Sequence, residues 1–228
     1  MFNLQKSIPL PPIKLERLVK YLTEVVQRGP LPLEELKARG LDFGKGRGDI
    51  TRFLERLGLV KVVGKNVYPT PASYELLSLY HLLGRAIFHP IFYSYLIQYK
   101  LIYNIIKEKN KVKLNDLQKE LNKHISNISP SSWINDVAFK TLITFGVEIG
   151  AFKKHGDEVS FLGDPIASAL ANAFGGALIG GRPYVGEIPE WLSTCAKLVK
   201  PSGVLLIDGD CAAQALERRL TASTYSTP

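Results

Sequence analysis

The side chains best equipped for chemistry in this chain are cations, and they are clustered. Lys45, Arg47, Arg52, Arg56, Lys61 and Lys65 face only Asp49 and Glu55 between positions 45 and 65. Arginine can address a guanine edge with two parallel donors, whereas lysine meets a phosphate as a point charge. The same side chains would serve equally as solvated surface pairs with Asp49 and Glu55, or as a protein-facing patch. Gly44-Lys45-Gly46-Arg47-Gly48 could let backbone N–H groups approach an anion, but it lacks the Gly-Lys-Ser/Thr ending of a nucleotide loop and follows no strand. It reads as a turn that presents two cations.

Other candidates for chemistry are sparse. Cys195 and Cys211 are too few for a cysteine-cluster metal site, and His81, His89, His124 and His155 lack zinc-motif spacing. Cys195 has no histidine close in sequence and reads as inert; Asp208 and Asp210 could hold Mg²⁺ but fit a helix cap better. His81 and His89 read as packed or partly exposed histidines, and His155 beside an aspartate could titrate near neutral pH. No catalytic residue, metal site or cofactor is expected.

The elements that must carry the basic cluster follow from apolar spacing. Ile13, Leu15, Leu18, Val19, Leu22, Val25 and Val26 keep a helical period, which predicts a helix over 13–28 ended by Gly29-Pro30. Pro32, Glu34 and Glu35 open a short helix over 32–39, stopped at Gly40. Asp49 starts a third, with Ile50, Phe53, Leu54 and Leu57 at i, i+3, i+4, i+7, ended by Gly58. Two strands over 59–63 and 66–70 then flank a Gly64-Lys65-Asn66 turn.

The third helix "DITRFLERLGLV" followed directly by the hairpin "KVVGKNVYPT" resembles the winged helix-turn-helix family. The resemblance implies a third helix in the DNA major groove and a wing on the backbone. It assigns Lys45, Arg47, Arg52 and Arg56 to the groove and Lys61 and Lys65 to the wing.

A second, weaker copy of the order follows. Residues 73–108 read as helical with a break at Pro90, and their aromatic density suits a core or a homodimer seam over 73–106. A helix over 93–109 would be followed by one over 114–124, on Leu114, Leu117, Leu121 and Ile125. Ser129 to Ser132 offer caps for a helix over 133–144, and "VEIGAFKKHGDEVSFL" gives two strands around Lys154-His155-Gly156-Asp157. This third helix carries Ser131, Ser132, Asn135, Asp136, Lys140 and Thr141, only one of them cationic. Lys153 and Lys154 on the second hairpin could meet phosphate. The run Lys107, Lys109, Lys111, Lys113 reads as a solvated loop.

Beyond Asp164 the texture changes. A helix over 165–174, a Gly-rich loop "FGGALIGGRPYVGE", a helix over 190–198, a strand over 204–207 and a helix over 211–220 are expected. "LVKPSGVLLIDGDCAAQALERRL" resembles the opening strand–loop–helix of Rossmann-like methyltransferases, which implies S-adenosylmethionine at Asp208 and Gly209. Where that family carries two or three glycines this loop has one, and 18 residues follow Asp210, so no complete cofactor pocket is expected.

Composition bounds the remainder. The 228 residues are 46% hydrophobic and 22% charged, as in globular proteins, with a formal charge of +8. The balance is +6 over 1–90, +3 over 91–163 and −1 over 164–228, so the excess lies with the two helix–hairpin blocks. The apolar stretch 167–181 is shorter than the roughly 20 residues of a membrane span, and no leader pattern opens the chain. The expectation is a mainly α (α+β) cytoplasmic protein with winged helices over 1–72 and 93–163. Connecting helices over 73–92 would join them, and 164–228 would form an α/β appendage. Its partner would be double-stranded DNA, with transcription regulation or nucleoprotein assembly as the role. A protein-assembly module and the scaffold of a methyltransferase-like protein are the alternatives.

Overall fold

The computed structural model describes residues 10–46, 48–130, 132–173, 189–199 and 204–225. Arg47, Ser131, the Gly-rich stretch 174–188 and residues 200–203 lie outside the described residues. The chain is mainly helical with small sheets. No helix among the described residues is long and apolar enough to cross a membrane.

The first block runs α1 (Leu15–Arg28), β1 (Leu31–Pro32), α2 (Leu33–Ala38), α3 (Asp49–Arg56), β2 (Val60–Val63) and β3 (Asn66–Pro69). The helical period of α1 buries Leu15, Leu18, Leu22 and Val25 along one stripe. Gly29, at a φ of 80°, turns the chain out of the helix. The strands are antiparallel in the order β1-β3-β2, with Leu31 opposite Val67 and Val62 opposite Val67 from the other side.

After α4 (Pro71–Leu83), a 3₁₀ turn (Gly84–Ile87) and α5 (Phe88–Tyr95), the same order recurs. It comprises α6 (Ile97–Lys109), β4 (Lys111–Lys113), α7 (Leu114–Ile128), α8 (Asp136–Ile149), β5 (Phe152–His155) and β6 (Glu158–Phe161). Its sheet order, β4-β6-β5, reproduces that of the first block.

Several boundaries differ from the sequence expectation for identifiable reasons. Helical breaks fall at Gly84, at a φ of 55°, and at the extended Leu96, so the helix expected over 93–109 starts at Ile97, while Pro90 sits in the first turn of α5, where its missing N–H costs nothing. Helix α8 starts at Asp136 because Asn135 is its cap, accepting a hydrogen bond from Ala138 N at 2.8 Å. The expected serine caps are engaged elsewhere, Ser129 and Ser132 bonding each other at 2.8 Å. Asn122 Oδ1 accepts from Ile134 N at 2.9 Å, holding the segment before α8.

One core runs through both blocks. Phe53 of α3, Phe92 of α5 and Phe145 of α8 meet with centroids 5.1 to 6.2 Å apart. Phe92 continues to Tyr99 at 5.7 Å and Tyr99 to Phe152 at 6.4 Å. Gly146 permits this closeness, since a Cβ there would fall 2.2 Å from the Phe152 ring. Glu148 of α8 reaches across to the start of α1, accepting from Leu15 N at 2.7 Å. The apolar residues expected for a dimer seam, among them Leu76, Phe88, Phe92, Tyr99, Ile102 and Ile106, are buried within the chain itself.

The last part comprises α9 (Pro165–Ala173), α10 (Glu190–Ser193), β7 (Ala196–Val199), β8 (Val204–Ile207) and α11 (Gly209–Tyr225). The expected helix over 190–198 is one turn followed by a strand, and β7 pairs antiparallel with β8 from Ala196↔Ile207 to Val199↔Val204. So short a connection permits a hairpin but not a parallel crossover, and this strand–helix unit therefore departs from the parallel opening of a doubly wound sheet. Cys195, expected to be inert, is bonded to Cys211 with Cα atoms 5.5 Å apart, which ties the end of α10 to the first turn of α11. Helix α11 packs on α4, α5 and α9, with an Arg219–Glu75 ion pair and a hydrogen bond from Ser94 Oγ to Glu217 at 2.6 Å.

Candidate nucleic-acid interface

Helix α3 buries Ile50, Phe53 and Leu54 on its inner face and exposes Arg52 and Arg56, one turn apart, on its outer face. The local sequence fixes this orientation through Asp42, a carboxylate that is 4% exposed. It accepts hydrogen bonds from Phe43 N and Ile50 N at 2.8 Å and from Thr51 N at 3.0 Å, and from the Thr51 hydroxyl. Tyr21 in turn donates to Thr51 Oγ1 at 2.6 Å, fastening α3 to α1. Burial and the nearby Asp42 and Glu55 charges push the Tyr21 phenol up, while its bond to Thr51 opposes that shift. These donors at the start of α3 are what a phosphate would need, and an internal carboxylate has taken them.

The glycine loop folds over this end of α3. Gly44 has a φ of 88°, and a Cβ there would stand 2.6 Å from Asp49 Oδ2. Gly48 is tighter, its added Cβ falling 2.0 Å from Asp42 Oδ2. Arg52 Nη2 donates to the Lys45 carbonyl at 2.6 Å and Lys37 Nζ to the Gly46 carbonyl at 2.6 Å. Arg52 therefore holds the loop from which Lys45 projects and still has other guanidinium donors. Arg56, exposed as a residue, is partly desolvated, which lowers its pKa from the ordinary arginine value.

Lys61 lies on β2 opposite Tyr68 of β3, both exposed, and Lys65 occupies the hairpin turn. The hairpin is anchored at both ends, the Lys65 carbonyl accepting from Leu33 N at 2.9 Å and Glu55 from Val62 N at 3.3 Å. Among the described residues, Lys45, Arg52, Arg56, Lys61 and Lys65 make no salt bridge. The contrast within the same block is Arg28 and Arg39, which share Glu24 at 3.3 and 3.2 Å and both also reach Glu35. Arg47 lies outside the described residues.

The second block is built differently. Lys153, Lys154 and His155 are exposed on β5, and neither lysine is salt-bridged among the described residues. Helix α8, however, is buried on two faces by Ala138, Leu142, Phe145 and Ile149 and by Phe139, Ile143 and Gly146. Its polar groups are engaged internally: Asn135 caps it, Gln118 Nε2 donates to Asp136 at 2.8 Å, and Thr141 donates to the Val137 carbonyl at 2.8 Å. The lysine run is dispersed, Lys109 pairing with Glu120 and Lys111 with Glu158 at 2.6 Å.

A second place missed by sequence reasoning is a cleft of about 210 Å³ where α5, α6, the start of α9 and α11 converge. His89, Tyr93, Tyr103, Lys107, Asp164 and Asp210 border it. They come from four separate stretches of chain, and none stands at a motif spacing. Asp208 belongs with a helix start, its Oδ1 accepting from Cys211 N at 3.0 Å. No group of three or more metal-ligating side chains occurs among the described residues.

Comparison with protein-family models, with curated proteins and with solved structures found no match to this chain.

Proposed function

We propose that the chain is a DNA-binding protein, a transcriptional regulator or nucleoprotein-assembly factor, acting through a winged helix formed by its first block. The observation that carries this reading is the row of uncompensated cations on α3, its preceding loop and its hairpin, in a chain of net charge +8. Cations left without carboxylates on one surface are an electrostatic footprint for a polyanion.

In this reading α3 enters the major groove and Arg52 and Arg56 address base edges, together with Arg47 from the loop. Lys45, Lys61 and Lys65 neutralise phosphates on either side. The second block is a winged-helix copy whose third helix has become core, so its contribution is limited to Lys153 and Lys154 on phosphates. Rigidity comes from Asp42, which sets the pitch of α3 before any DNA arrives, so little ordering cost remains for binding.

The double variant Arg52→Ala/Arg56→Ala is expected to weaken duplex binding by roughly tenfold to several hundredfold while the circular dichroism spectrum is unchanged. Unaltered affinity in a folded double variant would remove α3 as the reading helix.

A further inference from the structure

We propose that the cleft between α5, α6, α9 and α11 binds a small organic cation, an ammonium ion seated against Tyr93 and Tyr103 with its charge met by Asp164 and Asp210. This site is independent of the basic face of α3.

Charge sets the site apart. Two carboxylates, Asp164 and Asp210, border the cleft beside the ammonium of Lys107, while Glu217 at its rim accepts from Ser94 Oγ at 2.6 Å. His89 adds no positive charge, because burial, reinforced by Lys107, pushes its pKa down to about 3. A molecule with net charge +8 thus carries a locally negative, partly enclosed site.

The wall is aromatic. Tyr93 and Tyr103 stand edge to face at 5.6 Å and 85°, and His89 lies 4.7 Å from Tyr103. The faces of such rings attract cations, and this fold already uses the effect, with Lys100 Nζ 4.8 Å above the Tyr93 ring. At about 210 Å³ the cleft holds about seven water volumes, too little for a drug-sized molecule and enough for a small amine.

One polar atom is left open to the cleft. His89 is 5% exposed and borders the cleft, and its Nδ1 is 3.0 Å from the Tyr99 hydroxyl. No described residue partners its Nε2. With one nitrogen bonded to Tyr99 and the other open to the cleft, the imidazole keeps one site for a ligand there. In the tautomer whose Nδ1–H donates to Tyr99, the Nε2 lone pair accepts an ammonium N–H.

The environment of Asp164 supports the same occupant. Its Oδ1 accepts from Ala167 N at 2.8 Å, yet burial, with Asp210 nearby, raises its pKa against the lowering influence of that bond and of Lys107. The groups facing it are Lys107 and Tyr103 from α6, His89 and Tyr93 from α5, and Asp210 and Glu217 from α11. A bound cation relieves the carboxylate repulsion, so binding tightens as pH rises and Asp164 ionises.

Calorimetric titration with benzylammonium chloride tests this, with benzyl alcohol and benzoate as neutral and anionic shapes of similar size. Saturable binding of benzylammonium, at least roughly tenfold tighter than either control, is expected. Asp210→Asn, on the exposed first turn of α11, should weaken it roughly tenfold in a protein whose circular dichroism is unchanged. Absence of saturable binding, equal binding of benzyl alcohol, or unchanged affinity in the folded variant would each overturn the proposal. If Asp210→Asn does not fold, the preference for cation over alcohol in the natural sequence decides alone.

Discussion

His89 is a base kept neutral by its surroundings, and that has a consequence for stability as well as for ligands. Its folded pKa is about 3 against an ordinary 6.5, so between these values the unfolded chain binds more protons than the folded one. Its contribution to stability is fully present above pH 6.5 and is lost as pH falls toward 3, amounting to on the order of 5 kcal/mol. Denaturant unfolding at pH 7, 5 and 4 should show this decline, and His89→Leu should flatten it. An equal decline in the variant would place the pH dependence on other groups. At this scale the sequence was a partial guide. The exposure of Lys45, Arg52, Arg56, Lys61 and Lys65 follows from their positions opposite the apolar stripe of α3 and on an alternating hairpin. The role of Asp42 as internal cap was hidden, because it lies seven residues before the helix it closes and reaches it only through the positive-φ turns of Gly44 and Gly48.

Elements were legible where apolar period and stop residues agreed. Helix α3, the two hairpins and the helical stretches of each block follow from spacing, and the twofold recurrence of the order is visible before any coordinates. Elements decided by a competing side chain were not, as at α8, where Asn135 captured the cap that Ser129 to Ser132 seemed to offer. Nor was the pairing of β7 with β8 legible, since a four-residue strand and a helical turn share similar composition. The disulfide belongs to this scale. Bonds Cys195–Cys211 close a loop with a sequence separation of 16, for which loop-closure entropy gives about 3 kcal/mol. Cys211→Ser should destabilise α10, β7 and β8 by about that much. Amide hydrogen exchange checks this, with faster exchange over 190–215 and little change over 15–70 as the expected result. Unchanged protection over 190–215 would mean that packing of α11 alone suffices.

Across the whole molecule, the two blocks are not beads on a linker but share one core through Phe53, Phe92 and Phe145. That sharing explains why α8 is apolar on two faces and poor in cations, a feature that sequence alone left as a weak DNA reader. It also explains where most of the aromatic density of 73–106 goes: into contacts with α8, α9 and α11, while Tyr74 stays half exposed. Phe145→Ala should therefore destabilise both blocks together, by about 3 to 5 kcal/mol, in a single unfolding transition. Two separated transitions would show that the blocks fold independently. The cleft was illegible for the same reason, since it exists only after four distant stretches have packed on this core.

Fluorescence anisotropy of a mixed-sequence duplex at 50 and 200 mM salt reads out the uncompensated cations of the first block. Binding should weaken by roughly 10²- to 10³-fold across that range, as several released counterions require. In Lys61→Ala/Lys65→Ala the logarithmic salt slope should be shallower by about two. No binding at 50 mM salt, or binding whose salt slope is the same in the folded lysine variant, would contradict DNA binding through these cations.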